Sequence, residues 1–209
     1  MGYCHYWERH REIDQASFSA LVSDFRRCVP ALDDMGVRLA GPLGAGLPEI
    51  GLEEVAFNGL QDCGHGKNED ICIPFPAVDA SGVGSSTSAV VKPYFIGVEI
   101  KHRTCDGRCD YETFTFERIA SLSAKSEPDE DWYFDSCKTA FRPYDLAVQC
   151  FLPIAKHHLH AQIRVYSGGT DFHWNDARLV CYLHLGYPPA ELRVDKVGGL
   201  IRQPGSATV

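Results

Sequence analysis

In the stretch Phe134 to His160, FDSCKTAFRPYDLAVQCFLPIAKHHLH, a polar cluster runs straight into a long apolar pattern, and the rest of the chain is organised around it. Tyr144, Ala147, Val148, Phe151, Ala155 and Leu159 recur at helical spacing, so this stripe faces a core. Pro143 suits the first helical position, where its missing amide costs nothing. Pro153 predicts a kink near Gln149. Lys156, His157, His158 and His160 crowd the C-terminal end, where positive charge is favoured. A helix end with solvated imidazoles is the simple reading of those histidines; a metal set is the alternative.

Working outward, Tyr3–Glu8 (YCHYWE) reads as an aromatic strand, with Tyr3, His5 and Trp7 on one face and Cys4 and Tyr6 on the other. Aromatic residues on both faces predict a central strand covered from both sides. Asp14 is an N-cap for a helix whose core stripe is Phe18, Leu21, Val22, Phe25, Val29 and Leu32, ended by Gly36. Short strands are expected at 37–40 and 55–58, and Asn58-Gly59 reads as a turn. Between them, Gly41–Gly51 is a Gly/Pro loop without the following helix that a phosphate loop requires. Further strands are expected at 94–101, 113–116 and 162–167, with a last helix capped by Asp171 and stopped at Gly186. Residues 77–92 read as a surface connection and 123–131 as an acidic loop. Strands and helices mix without strict alternation, which predicts α+β: one domain over 1–197, with a central mixed sheet, about three main helices and a loop-rich insert at 60–109. A tail follows at 198–209.

Composition bounds the function. The 209 residues are 44% hydrophobic and 23% charged, as in ordinary globular proteins, with a formal charge of −8. That acidic balance argues against a nucleic-acid partner, although a local basic pocket is compatible with it. No run of about 18 apolar residues predicts a membrane span. The start, MGYCHYWERHREID, lacks the apolar core of a secretory signal, and a cytoplasmic protein is expected. Its nine cysteines are then reduced thiols, metal ligands or buried hydrophobes.

Five motifs carry a resemblance: GYCHYW, FNG at 57–59, CGHGKNEDICIPFP at 63–76, CDGRCDYETFTFER at 105–118 and CKTAFRPYDLAV at 137–148. Together they make the chain similar to a family of fungal proteins with shorter bacterial and phage relatives, for which no activity is assigned. The resemblance implies that the shorter relatives lack much of the segment between Leu60 and Cys109. It supplies no reaction and no ligand.

The residues themselves point to two sites. Cys63-Gly-His65 and Cys105-Asp-Gly-Arg-Cys109 are two chelating pairs in turn-rich loops. Zinc takes four Cys/His ligands in a tetrahedron, so convergence of Cys63, His65, Cys105 and Cys109 would staple the two ends of the insert. Four unconnected side chains, or a Cys105–Cys109 redox pair, are the alternatives. The second site lies at the start of the central helix. Lys138, Arg142, Thr139 and free helix amides form a candidate pocket for a small anionic metabolite or nucleotide. Tyr3, Trp7, Asn58 and Tyr144 would line it, His5 would act as acid or base, Lys138 as an electrostatic clamp, and Asp145 would hold a cation in place. Asp145 paired with Arg142 or Lys138 in a purely structural network is the competing reading, and Cys137 is either a nucleophile or simply buried. Three functions remain open: an enzyme on an anionic substrate, a protein that sequesters such a ligand without turnover, or a zinc-stapled protein-interaction module.

Overall fold

The computed structural model describes residues 3–73, 102–121 and 132–188. Its elements are β1 (Cys4–His10), α1 (Gln15–Asp34), β2 (Leu39–Ala40), β3 (Glu49–Ile50), β4 (Glu54–Gly59), β5 (Glu69–Cys72), β6 (His102–Cys105), β7 (Phe114–Glu117), β8 (Trp132–Lys138), α2 (Asp145–Leu159), β9 (Ile163–Ser167) and α3 (Asn175–Leu185). This is an α+β single-domain fold. The expected strand at 94–101, the connection at 77–92, the loop at 123–131 and the tail lie outside the described residues. No described helix is long and apolar enough to cross a membrane.

The described strands pair in antiparallel sheets rather than in one mixed sheet. β1 lies between β8 and β9, the central position that its aromatic pattern predicts. Alternation places His5, Trp7 and Arg9 on the buried face, beside Cys137, Asp135 and Tyr133 of β8. Only this face is fully covered. Cys4, Tyr6, Glu8 and His10 stay half-buried on the other face, where Tyr6 stacks on Phe134 and Arg164 lies over Trp132. Aromatic rings there shield one another.

β4 organises the second sheet, pairing with β2, β3 and β7. The two sheets meet where Glu12 bridges Ile119 and the Ile13 amide donates to Arg118 O. Between them and the helices lies an aromatic core. Phe114 contacts Phe57 and Phe151 at centroid distances of 4.9 Å, and Phe25 and Trp7 close the cluster. α1 starts as expected, with the Asp14 carboxylate accepting from the Ser17 amide, and it continues through Pro30. Gly36, at φ +80°, then turns the chain so that the Val37 amide reaches Leu32 O. α2 likewise runs through Pro153 without a break. The last helix is preceded by a 3-10 turn, Asp171–Trp174, capped by Thr170; Asp171 therefore lies inside the turn and pairs with Arg178.

Candidate metal centre and the buried charge network

Cys63, His65, Cys105 and Cys109 come together, their donor atoms all within 4.8 Å of one another. Cys105 Sγ lies 3.5 Å from both Cys63 Sγ and Cys109 Sγ, and His65 Nδ1 lies 3.2 Å from Cys109 Sγ. Zinc–sulfur bonds of about 2.3 Å at tetrahedral angles put sulfurs roughly 3.8 Å apart, so the set has the dimensions of a metal site. The local sequence explains the convergence. Gly64 and Gly107 hold positive φ, which curls each loop back on its cysteine. The His65 and Cys109 amides then point at Cys63 sulfur, and the Gly107 amide points at Cys105. The Cys109 amide also donates to Leu60 O, and the Gly107 amide to Gly66 O, which ties the two loops together.

These amide dipoles favour thiolates. Burial opposes ionisation of Cys63, but the surrounding amides and thiols hold it below the ordinary thiol value. Cys105 is pushed up by burial and by Cys63, and Cys109 by burial and both other thiols. Three thiols this close cannot all ionise without a cation among them; a bound cation reverses that balance. Leu60 and Ile71 cover the cluster, and a cavity of about 190 Å³ lined by Arg38, His65 and Pro143 opens beside it.

Asn58-Gly59 belongs to this centre in an unexpected way. The dipeptide is not a turn; it ends β4. A Cβ on Gly59 would lie 2.0 Å from Cys109 O, so only glycine lets the ligand loop pass. The Asn58 side chain bonds Pro42 O, Tyr111 O and the Tyr111 amide, which makes it a spacer between loops and not a ligand contact.

The second group of predicted residues divides. His5 and Asp145 meet, with Nε2 2.7 Å from Oδ1 and both side chains fully buried. Thr139 donates to the same carboxylate oxygen at 2.5 Å. Tyr3 joins through Gln149, whose Nε2 donates to the Tyr3 hydroxyl at 3.2 Å. Arg103 completes the network at 1% exposure: it lies 3.4 Å from Asp145 and 3.7 Å from Asp176, and donates to Gln149 at 3.2 Å. Burial alone would raise the Asp145 pKa, but His5, Arg103 and Thr139 together hold it below the usual carboxylate range. Above this network, Ala140 and Phe141 both hold positive φ in a tight turn closed by the Arg142 amide on Thr139 O. Phe141 stacks on Tyr3 at 3.9 Å.

The other predicted residues stay apart. Lys138 pairs in register with Cys4, so alternation sends it to the face opposite His5, and its ammonium lies 5.3 Å over the Tyr111 ring. Arg142 donates to Thr104 O and faces a cavity shared with Arg108, Asp106, Asp110 and Glu112; Arg108 is held by Asp110, and the three carboxylates outnumber the two guanidinium groups. Trp7 is packed on Phe114 and Phe116, and Tyr144 is buried with its hydroxyl on Glu112 O. The helix start offers no free donors at its first positions, because Pro143 does not begin the helix. The amides of Asp145, Leu146 and Ala147 are taken by Arg142 O, Pro143 O and Tyr144 O. No anion cradle forms there. Cys137 is buried, which pushes its thiol well up and removes it as a nucleophile. His158 bonds Asp24 at 2.8 Å, a link between α2 and α1 instead of a solvated imidazole.

Arg103, Gln149 and Asp176 escaped the sequence reading. Asp145 and Gln149 stand four residues apart within the apolar run of α2, which is the pattern of a buried polar spot. Arg103 shares a strand face with Cys105, which gives it the direction of a metal ligand. Compared with protein families, with curated proteins and with solved structures, the chain matches none.

Proposed function

We propose that this protein is a zinc-stapled interaction module, in which Cys63, His65, Cys105 and Cys109 hold one structural Zn²⁺. The closure of four donor atoms within 4.8 Å carries the reading. Three thiolates and one imidazole in tetrahedral range favour zinc over hard, oxygen-seeking cations. Four protein ligands leave no open position for a substrate, so the metal's contribution is to folding and not to chemistry. The work of the protein is then binding. Leu43 and Leu47 support this, being 84% and 88% exposed on a loop that is held at both sides. Asn58 and Thr113 fix Pro42 O, and the Gln61 amide, two residues before Cys63, fixes Gly44 O. Leucines displayed on a braced loop fit an apolar pocket on another protein.

Native mass spectrometry on protein purified without chelator is expected to show one zinc per chain, lost in a Cys63→Ser/Cys109→Ser variant. Fewer than about 0.2 metal per chain refutes the staple. For the contact surface, affinity capture with wild type and a Leu43→Ser/Leu47→Ser variant should return a protein that only the wild type holds. Identical captures from the two baits count against the loop.

A further inference from the structure

The β5–β6 ribbon pairs with no other described strand, and the residues of β5 are largely exposed. A two-stranded ribbon is marginal alone. Two things secure this one. At its base stand Cys105 and the metal centre. Two residues earlier, on the same face, Arg103 passes into the interior and supplies the cation of the Asp145–Asp176–Gln149 network. Between them Thr104 joins the ribbon to the Ala140–Phe141 turn, its amide donating to Phe141 O at 2.9 Å and its carbonyl accepting from Arg142 at 3.3 Å. The ligand loop cannot leave without withdrawing Arg103. If Arg103 leaves, Asp145 and Asp176 lose a positive partner where both are fully buried.

We propose that Arg103 is a positioning residue that couples metal binding at Cys63, His65, Cys105 and Cys109 to the buried network at the start of α2. The coupling rests on the zinc reading above and goes beyond it. The metal holds the ribbon, the ribbon holds Arg103, and Arg103 holds the start of α2 closed over His5 and Tyr3. Linkage makes this reciprocal: the network preorganises Cys105 and Cys109 for metal, and metal loss loosens α2 at a distance from the ligands.

The test measures Zn²⁺ affinity by competition with a chromophoric chelator for wild type, Arg103→Met, Arg103→Lys and, as a surface control, Arg164→Met. Couplings of this kind span about 5- to 150-fold, so Arg103→Met is expected to weaken binding by at least fivefold. Arg103→Lys recovers part of the loss, and Arg164→Met changes nothing. Hydrogen exchange of the wild type with and without chelator is the second readout, and it decides the matter if Arg103→Met does not fold. Chelation is expected to raise exchange over 141–149 as well as around the ligands. Equal zinc affinity in wild type and Arg103→Met overturns the coupling while leaving the staple intact, as does loosening confined to 60–73 and 102–110. A wild type that binds no zinc overturns both.

Discussion

Asp145 shows what a single carboxylate can hold together. It is fully buried, and His5, Thr139 and Arg103 surround it. Removing one member of a buried ion network typically costs about 3–5 kcal/mol, and Asp145→Asn is expected to lose that much at neutral pH. The pH dependence has a definite sign. The folded pKa lies below the ordinary 3.8, so Asp145 stabilises fully above that value and the benefit is lost as the pH falls through the folded one. Urea unfolding from pH 7 to pH 3 should therefore show wild type losing its advantage over Asp145→Asn in the acid limb. A constant gap across that range would contradict the network. His5 and Asp145 were both legible in the sequence as chemically interesting residues. Their partnership was not, because strand alternation and helix period are local patterns, whereas this contact joins residues 140 positions apart.

Among the elements, the loops that carry the Cys/His cluster show how a dipeptide can be misread. Asn-Gly is the commonest turn signal, yet Gly59 sits at the end of β4 because the Cys109 carbonyl crosses it. Gly59→Ala forces two backbones apart. Overpacking of this kind typically costs about 1–3 kcal/mol. For a chain of this length that lowers Tm by about 2–12 °C, and it should weaken zinc binding in parallel. Differential scanning calorimetry and zinc competition measure the two effects; a variant with unchanged Tm and affinity would mean that the loops are not in contact as described. The chelating pairs themselves were readable, since ligand type and close spacing are written in the chain. The helix start is not legible in the same way, because its donors depend on how the preceding turn folds back. That turn places Ala140 and Phe141 at positive φ, a conformation neither residue type advertises.

For the whole molecule, the proposed zinc would join residues 63–65 to residues 105–109 and so act on global stability. Metal at a thousandfold above its Kd stabilises the folded state by about 4 kcal/mol, or about 8–16 °C at this size. Chelation should lower Tm by that order, and a melting curve indifferent to chelator would leave the fold without its staple. The class of fold followed from patterns that span a few turns or strands: the apolar stripe of α2, the Asp14 cap and the aromatic β1. The sheet partners did not, since register depends on segments far apart. That separation has a consequence for synthesis. Cys4 pairs with Lys138 and His5 with Ser167, so the first of the described strands lies between the last two of them. At about 5–20 residues per second, β1 leaves the ribosome roughly 8–30 s before β9 exists to flank it. Until β8 follows, Tyr6, Trp7 and their neighbours have both strand edges open, and one edge stays open until β9 is made. The yield of folded protein on expression should therefore rise when a chaperone that shelters apolar segments is supplied in excess; a yield indifferent to it would mean that the open edges carry no cost.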